Sequence, residues 1–235
     1  METLYYIILV PMVYLAVAVF VFGTASKMFF IFTRKKEAVT PVYPIAKPGV
    51  LYALYDSFFM PSILKHKPLF WVFLMAFHVS LLLLLVGHLE CIWDISLLQV
   101  IPHEIFIGNG FVGITLTISL LYFLFRRFSS PVRDLSVPED YFLLIFLFLV
   151  VIFGSEMDWA RSWYYYDSMT VENYRVYLSS LVSFHPVLPD EIMESGHSFM
   201  LVAHVFFANL FLMAIPFTKI THAFLALPVN KLKRG

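Results

Sequence analysis

Five stretches of this chain stay apolar long enough to cross a hydrocarbon layer, and nearly all of its charge falls between them. Such a crossing takes roughly 20 apolar residues in a helix. Residues 4–32, 69–93, 104–125, 141–163 and 196–225 meet that requirement. The first run is longer than needed and carries Pro11 and Gly23 as candidate bends. The second contains an unbroken apolar core over residues 81–86, and the fifth contains Pro216. Ser136-Val137-Pro138-Glu139 reads as a capping box with an early proline, which marks the start of the fourth run. The pattern predicts an all-α fold, an integral membrane bundle of five transmembrane helices. No internal repeat or low-complexity linker divides it, so residues 1–235 are expected to form a single membrane domain.

Composition agrees and narrows the class. The chain is 60% hydrophobic and 14% charged, whereas soluble domains run at about 45–50% apolar. Sixteen basic residues balance sixteen acidic ones, which argues against a nucleic-acid partner. The single cysteine, Cys91, excludes an internal disulfide and a cysteine-rich iron–sulfur site. No Cys-x-x-Cys-His motif occurs, so any haem would be held non-covalently. The N-terminus lacks the basic segment of a signal peptide and reads as a retained span.

The placement of charge predicts orientation. Residues 34–68, 126–138 and the stretch from Lys219 onward carry 13 of the 16 basic residues. The intervening loops hold only Arg161 and Arg175. The positive-inside rule then puts the N-terminus outside and the C-terminus in the cytoplasm of a cell's inner membrane, consistent with an odd number of spans. Residues 48–65 alternate aromatic and small side chains and are expected to lie at the interface. Residues 155–196 are rich in Trp and Tyr, as an aromatic belt would be, or a shelf for an outer partner.

Four histidines lie inside these apolar runs, His78 and His88 in the second, His204 and His222 in the fifth. Ionisable groups are costly in lipid, so each is a functional candidate. Antiparallel spans bring His88 level with His204 near the outside and His78 level with His222 near the inside. The intervals of ten and eighteen residues rise about 15 and 27 Å, bracketing a separation that stacks two macrocycles without collision. In a continuous helix, eighteen residues close five turns and put His204 and His222 on one face. His197 shares that face, but lies only about 10 Å from His204, too near for a second upright macrocycle. It is placed at the outer mouth instead. His66, His103 and His185 read as loop or helix-end histidines. Two haems, each held axially by a histidine pair, account best for this order. A histidine-lined proton or ion transport protein without haem is the alternative, and a passive membrane anchor is a third reading. Gly87 before His88, Ala203 before His204, and Gly108, Gly110 and Gly113 are small enough to admit close neighbours.

The chain resembles the cytochrome b subunits related to the gamma subunit of respiratory nitrate reductase. The likeness rests on five spans, the two histidine intervals, Gly87-His88 and Pro216-Phe217-Thr218-Lys219-Ile220-Thr221-His222, similar to that family's Pro-Phe-Ser-Arg…His ending. It implies a distal haem b on His88 and His204 and a proximal haem b on His78 and His222. It further implies a menaquinone-type or other membrane quinone turning over near the distal haem. Gly87, His103, Glu104, Asn109 and His197 are the candidate lining residues there, with His103, Glu104 or His197 accepting protons. The family's partner is a cytoplasmic iron–sulfur subunit, nitrate-reductase-like or heterodisulfide-reductase-like, sometimes with a periplasmic multihaem cytochrome c. The nitrate branch uses a lysine in the third span to hold quinol. Residues 107–109 here contain none, and the long outer loop also departs from that branch. Both departures point towards the heterodisulfide-reductase-like and sulfite-reduction-associated relatives.

Overall fold

A computed structural model describes residues 2–33, 49–93, 111–164, 170–194 and 198–234. Its elements, in chain order, are helices α1 (Glu2–Leu9), α2 (Pro11–Thr33), α3 (Val50–Phe59), α4 (Pro61–His66), α5 (Pro68–Ile92) and α6 (Phe111–Phe128). After these come α7 (Pro138–Tyr164), α8 (Val171–Val182), α9 (Asp190–Glu194), α10 (Ser198–Ala214) and α11 (His222–Arg234). No strand occurs among the described residues. Among the described residues, five helical segments are long and apolar enough to cross a membrane: Glu2–Thr33, Pro68–Ile92, Phe111–Phe128, Pro138–Met157 and Ser198–Phe217. This is a multi-pass membrane protein, and the all-α fold with five spans agrees with the pattern in the sequence.

The chain forms two compact units, one from Met1–Leu15 and Ala76–Phe211, the other from Ala16–Met75 and Leu212–Gly235. In the first unit, Leu116 and Leu120 of α6 pack with Leu147 and Val151 of α7, flanked by Phe77, Leu81 and Leu84 of α5 and by Phe211 of α10. The α6–α7 connection is fixed by charge. Asp140 Oδ2 accepts from Arg127 at 3.1 Å and from the Val137 backbone N–H at 3.1 Å. Only the carboxylate half of a capping box forms, one residue later than the sequence suggested: Asp140 returns to the Val137 N–H, while the Ser136 hydroxyl donates to Val132 O. Pro138, preset for the first helical position, sets that register.

The first unit also shows how a proline break is repaired. Pro11 lacks an N–H and ends α1; Val13 N–H then donates to Val10 O at 3.1 Å. Two neighbouring carbonyls receive side-chain donors instead. Tyr177 of α8 donates its hydroxyl to Leu9 O at 2.6 Å, and Asn209 of α10 donates its amide to Ile8 O at 3.2 Å. Ile8, Leu9, Val10, Tyr177, Leu181, Ile192, Leu201 and Val202 form a continuous buried cluster around these bonds.

In the second unit, α3 packs on α11, with Asn230 Nδ2 donating to Ser57 Oγ at 2.9 Å. The fifth run is not one helix. Its expected extent of 196–225 gives way to α10, 3₁₀ turns at Ile215–Phe217 and Lys219–Thr221 separated by an extended Thr218, and then α11. Pro216 causes the break, because its ring excludes a continuing helical hydrogen bond. His204 and His222 therefore lie on separate helices and do not share one helical face.

Burial pushes the Tyr177 phenol above its ordinary value, and neighbouring Tyr14 adds to the shift. A folded-state pKa above the unfolded one means stability present below about pH 10 and lost above it. Tyr177→Phe should lower stability by about 1 kcal/mol at neutral pH and flatten the decline above pH 10. Thermal unfolding of the purified protein across pH checks both; an unchanged alkaline slope would show that another group controls it.

Candidate functional site

Within the first unit, His88 of α5 and His204 of α10 face each other with ring centres 6.2 Å apart and planes 22° from parallel. Each ring is anchored through Nδ1. His88 Nδ1–H donates to Leu84 O, one turn back on its own helix, at 2.6 Å. His204 Nδ1–H crosses to α7 and donates to Val150 O at 2.8 Å. A carbonyl on Nδ1 fixes the tautomer, leaving the lone pair on Nε2. Metal-ligating histidines are oriented by this kind of bond.

Gly154, one turn beyond Val150 on α7, is what lets His204 approach. A Cβ at position 154 would lie 2.9 Å from both Cε1 and Nδ1 of the His204 ring. Beside it, Phe153 stacks parallel to Phe207 at 5.8 Å and meets Phe199 edge-on at 5.7 Å.

The separation tests whether these residues suit an axially ligated haem. Metal–imidazole bonds are about 2.0–2.1 Å, and a ring nitrogen lies roughly 1.1 Å from its ring centre. Two such bonds to one iron would set the ring centres about 6.3 Å apart, and the rings stand 6.2 Å apart. Two imidazoles from separate helices are a donor set that would hold a haem iron.

His78 lies half-buried on α5 in the first unit, edge-on to Phe77 at 5.1 Å. His222 opens α11 in the second unit, and its Nδ1–H donates to Lys219 O at 3.0 Å. Gly87 is buried next to His88. His103, Glu104, Asn109 and His197 lie outside the described residues. His66 and His185 are exposed and donate to the local carbonyls of Ser62 and Ser183, as surface histidines would. Three features escaped the sequence reading: Gly154, the fully buried Glu90 (1% exposed), and Lys27 within α2. For Lys27 and Glu90 the signal was present, an ionisable residue inside an apolar run. For Gly154 there was none, because a glycine in a span is commonplace.

Fold and site together define a multi-pass helical membrane protein whose span-borne histidines pair across two helices. Residues 61–235 match the nitrate reductase gamma subunit family, and the chain belongs to that family. Over 191 residues it is 28% identical to a protein of Archaeoglobus fulgidus described as an Hdr-like menaquinol oxidoreductase cytochrome b-like subunit, covering 72% of this chain and 55% of that protein. An identically described protein of Archaeoglobus profundus is 24% identical over 164 residues, covering 65% of this chain and 46% of its own length. The chain thus spans about half the length of these curated relatives.

Gly154→Ala should force His204 away from α7 and cost about 1–3 kcal/mol, the usual penalty for overpacking. In a His204→Ala background the same change should be nearly neutral, since the clash is with that ring. A double-mutant cycle by thermal unfolding measures the coupling; additive penalties would mean that Gly154 serves some other contact.

Proposed function

We propose that this chain is the di-haem b membrane subunit of a multi-subunit quinol:acceptor oxidoreductase. It passes electrons between a quinone pool at the outer side of the cytoplasmic membrane and a cytoplasmic iron–sulfur subunit. The observation that carries this reading is the 6.2 Å approach of His88 and His204, with His204 held by a neighbouring helix and His88 by its own. Haem iron supplies one-electron transfer when bound, and the protein supplies its ligands, orientation and dielectric. His88 and His204 are the outer pair. His78 and His222 are the inner pair, a pairing that rests on span order.

The relatives' description as menaquinol oxidoreductase subunits supports a menaquinol-type substrate. Gly87 leaves room for its ring beside His88, with Asn109 as a polar contact. His103, Glu104 or His197 takes its protons and releases them outside. The Hdr-like description equally supports a heterodisulfide-reductase-like iron–sulfur partner, and a periplasmic multihaem cytochrome c is a further candidate. On the side the charge distribution assigns to the cytoplasm, the basic residues Lys35, Lys36, Lys65, Lys67, Arg126 and Arg127 are the candidates for docking that partner. The rival reading, a histidine-lined proton or ion path, draws on one observation, the buried acid Glu90.

The redox difference spectrum of the purified protein, with haem counted per chain, separates the two readings. Two haems are expected in the wild type. His88→Ala and His204→Ala should each lose the same haem, while His78→Ala and His222→Ala lose the other. His197→Ala should keep both and slow quinol turnover. A colourless protein, or two full haems in all four ligand variants, would sink the proposal.

A further inference from the structure

Lys27 is the one basic residue inside the first apolar run. It lies six residues before the end of α2, about 9 Å along the axis, within reach of the interface for a snorkelling side chain. Within the second unit its Nζ donates to Pro216 O at 3.0 Å and to Thr221 Oγ1 at 3.3 Å, the two ends of the broken segment leading into His222. Gly23, one turn earlier on the same face of α2, makes the approach possible: a Cβ there would sit 2.8 Å from Pro216 Cβ. A cleft of about 640 Å³ opens beside the ammonium, lined by Gly23, Ser26, Phe30, Pro216 and Phe217.

Two neutral oxygens occupy two of the three ammonium N–H groups and cancel none of its charge. Among the described residues no carboxylate forms an ion pair with Lys27. A charge within a membrane span is retained where it has a counter-ion or a task. A helix-capping task alone would be met by a neutral donor. The cleft leaves space for an anionic oxygen, and the neighbouring element of the same unit carries His222.

We propose that Lys27 is the counter-charge for a carboxylate of the haem held by His222, and that it sets that haem's reduction potential. The proposal rests on the reading of His222 as an inner-haem ligand. Lys27 acts as a positioning and electrostatic residue. A fixed cation disfavours the more positive ferric state, so its presence raises the potential. At an effective dielectric of about 20, a unit charge within roughly 10 Å changes a one-electron equilibrium by more than tenfold.

The test is a potentiometric titration of the whole protein in nanodiscs, followed through the haem spectrum. Wild type, Lys27→Gln, Lys27→Met, Lys27→Arg and Thr221→Val are compared, with His222→Ala identifying which step belongs to the inner haem. The two neutral variants should keep two haems and lower the inner step by tenfold or more in equilibrium, ~59 mV for one electron. Lys27→Arg and Thr221→Val should leave that step nearly unmoved, since both keep the cation. An unmoved step in the neutral variants overturns the proposal. So does an equal shift in Thr221→Val, which would assign Lys27 to capping alone, or collapse of the protein in both neutral variants. A shift present in phosphatidylglycerol but absent in phosphatidylcholine nanodiscs would assign the cation to a lipid phosphate, overturning it too. A wild-type protein without a second haem defeats the functional reading itself, whatever Lys27 does, and the proposal with it.

Discussion

Backbone carbonyls inside a membrane span have no water to bond, so each must find a donor within the protein. That constraint organises the described parts of this chain. Where Pro11 ends α1, Tyr177 and Asn209 deliver side-chain donors to Leu9 O and Ile8 O. Where Pro216 ends α10, Lys27 delivers one to Pro216 O. Each repair joins segments far apart in sequence. The two breaks therefore act as tertiary anchors, and the residues that mend them are fixed by need instead of by general packing. An unsatisfied buried carbonyl costs about 1–3 kcal/mol, comparable to a large fraction of a protein's net stability.

The histidines obey the same constraint from the donor side. His88, His204 and His222 each place Nδ1–H on a backbone carbonyl, those of Leu84, Val150 and Lys219. The bond to Val150 crosses between helices, and Gly154 one turn away keeps its path open. A ring held in this way loses its rotamer freedom before any ligand arrives. Preorganisation of that kind is what a functional constellation needs from its supporting residues. Packing among Leu116, Leu120, Leu147 and Val151 in turn fixes the helix that carries both Val150 and Gly154.

Much of this was legible in the residues, and the reasons for the remainder are physical. Span-length apolar runs announced the five helices, because lipid forces hydrophobicity all around them. Histidines announced themselves through rarity in such runs, and their order gave the His88–His204 meeting. The break after Ala214 was half legible: Pro216 was visible as a bend, but two 3₁₀ turns and an extended Thr218 depend on what takes the freed carbonyls. The one-residue shift of the α7 cap was hidden because Asp140 is claimed by Arg127, thirteen residues away. Gly154 was illegible, since a glycine's meaning lies in the side chain opposite it. Family membership, by contrast, could be read from the histidine intervals and the Pro216–His222 segment, and residues 61–235 match the family model.

The way the rings are held also bears on which chemistry they serve. A proton path through imidazole needs one nitrogen to receive while the other releases. In His88, His204 and His222 the releasing position would be Nδ1, and its neighbour is a carbonyl with no proton to pass on. Each transfer would have to break that bond and turn the ring. Breaking one costs about 0.5–1.5 kcal/mol net in water-exposed surroundings and more in an apolar one. For His204, the α7 backbone at Gly154 also stands close against the ring. Axial ligation asks for nothing of the kind, only a lone pair on Nε2 and a ring that stays still. The buried Glu90 lies 200° around α5 from His88 on an ideal helical wheel, on the opposite face, so it does not extend the histidine pair into a relay. Immobile rings with one committed nitrogen each are the arrangement that electron transfer favours and proton relay does not.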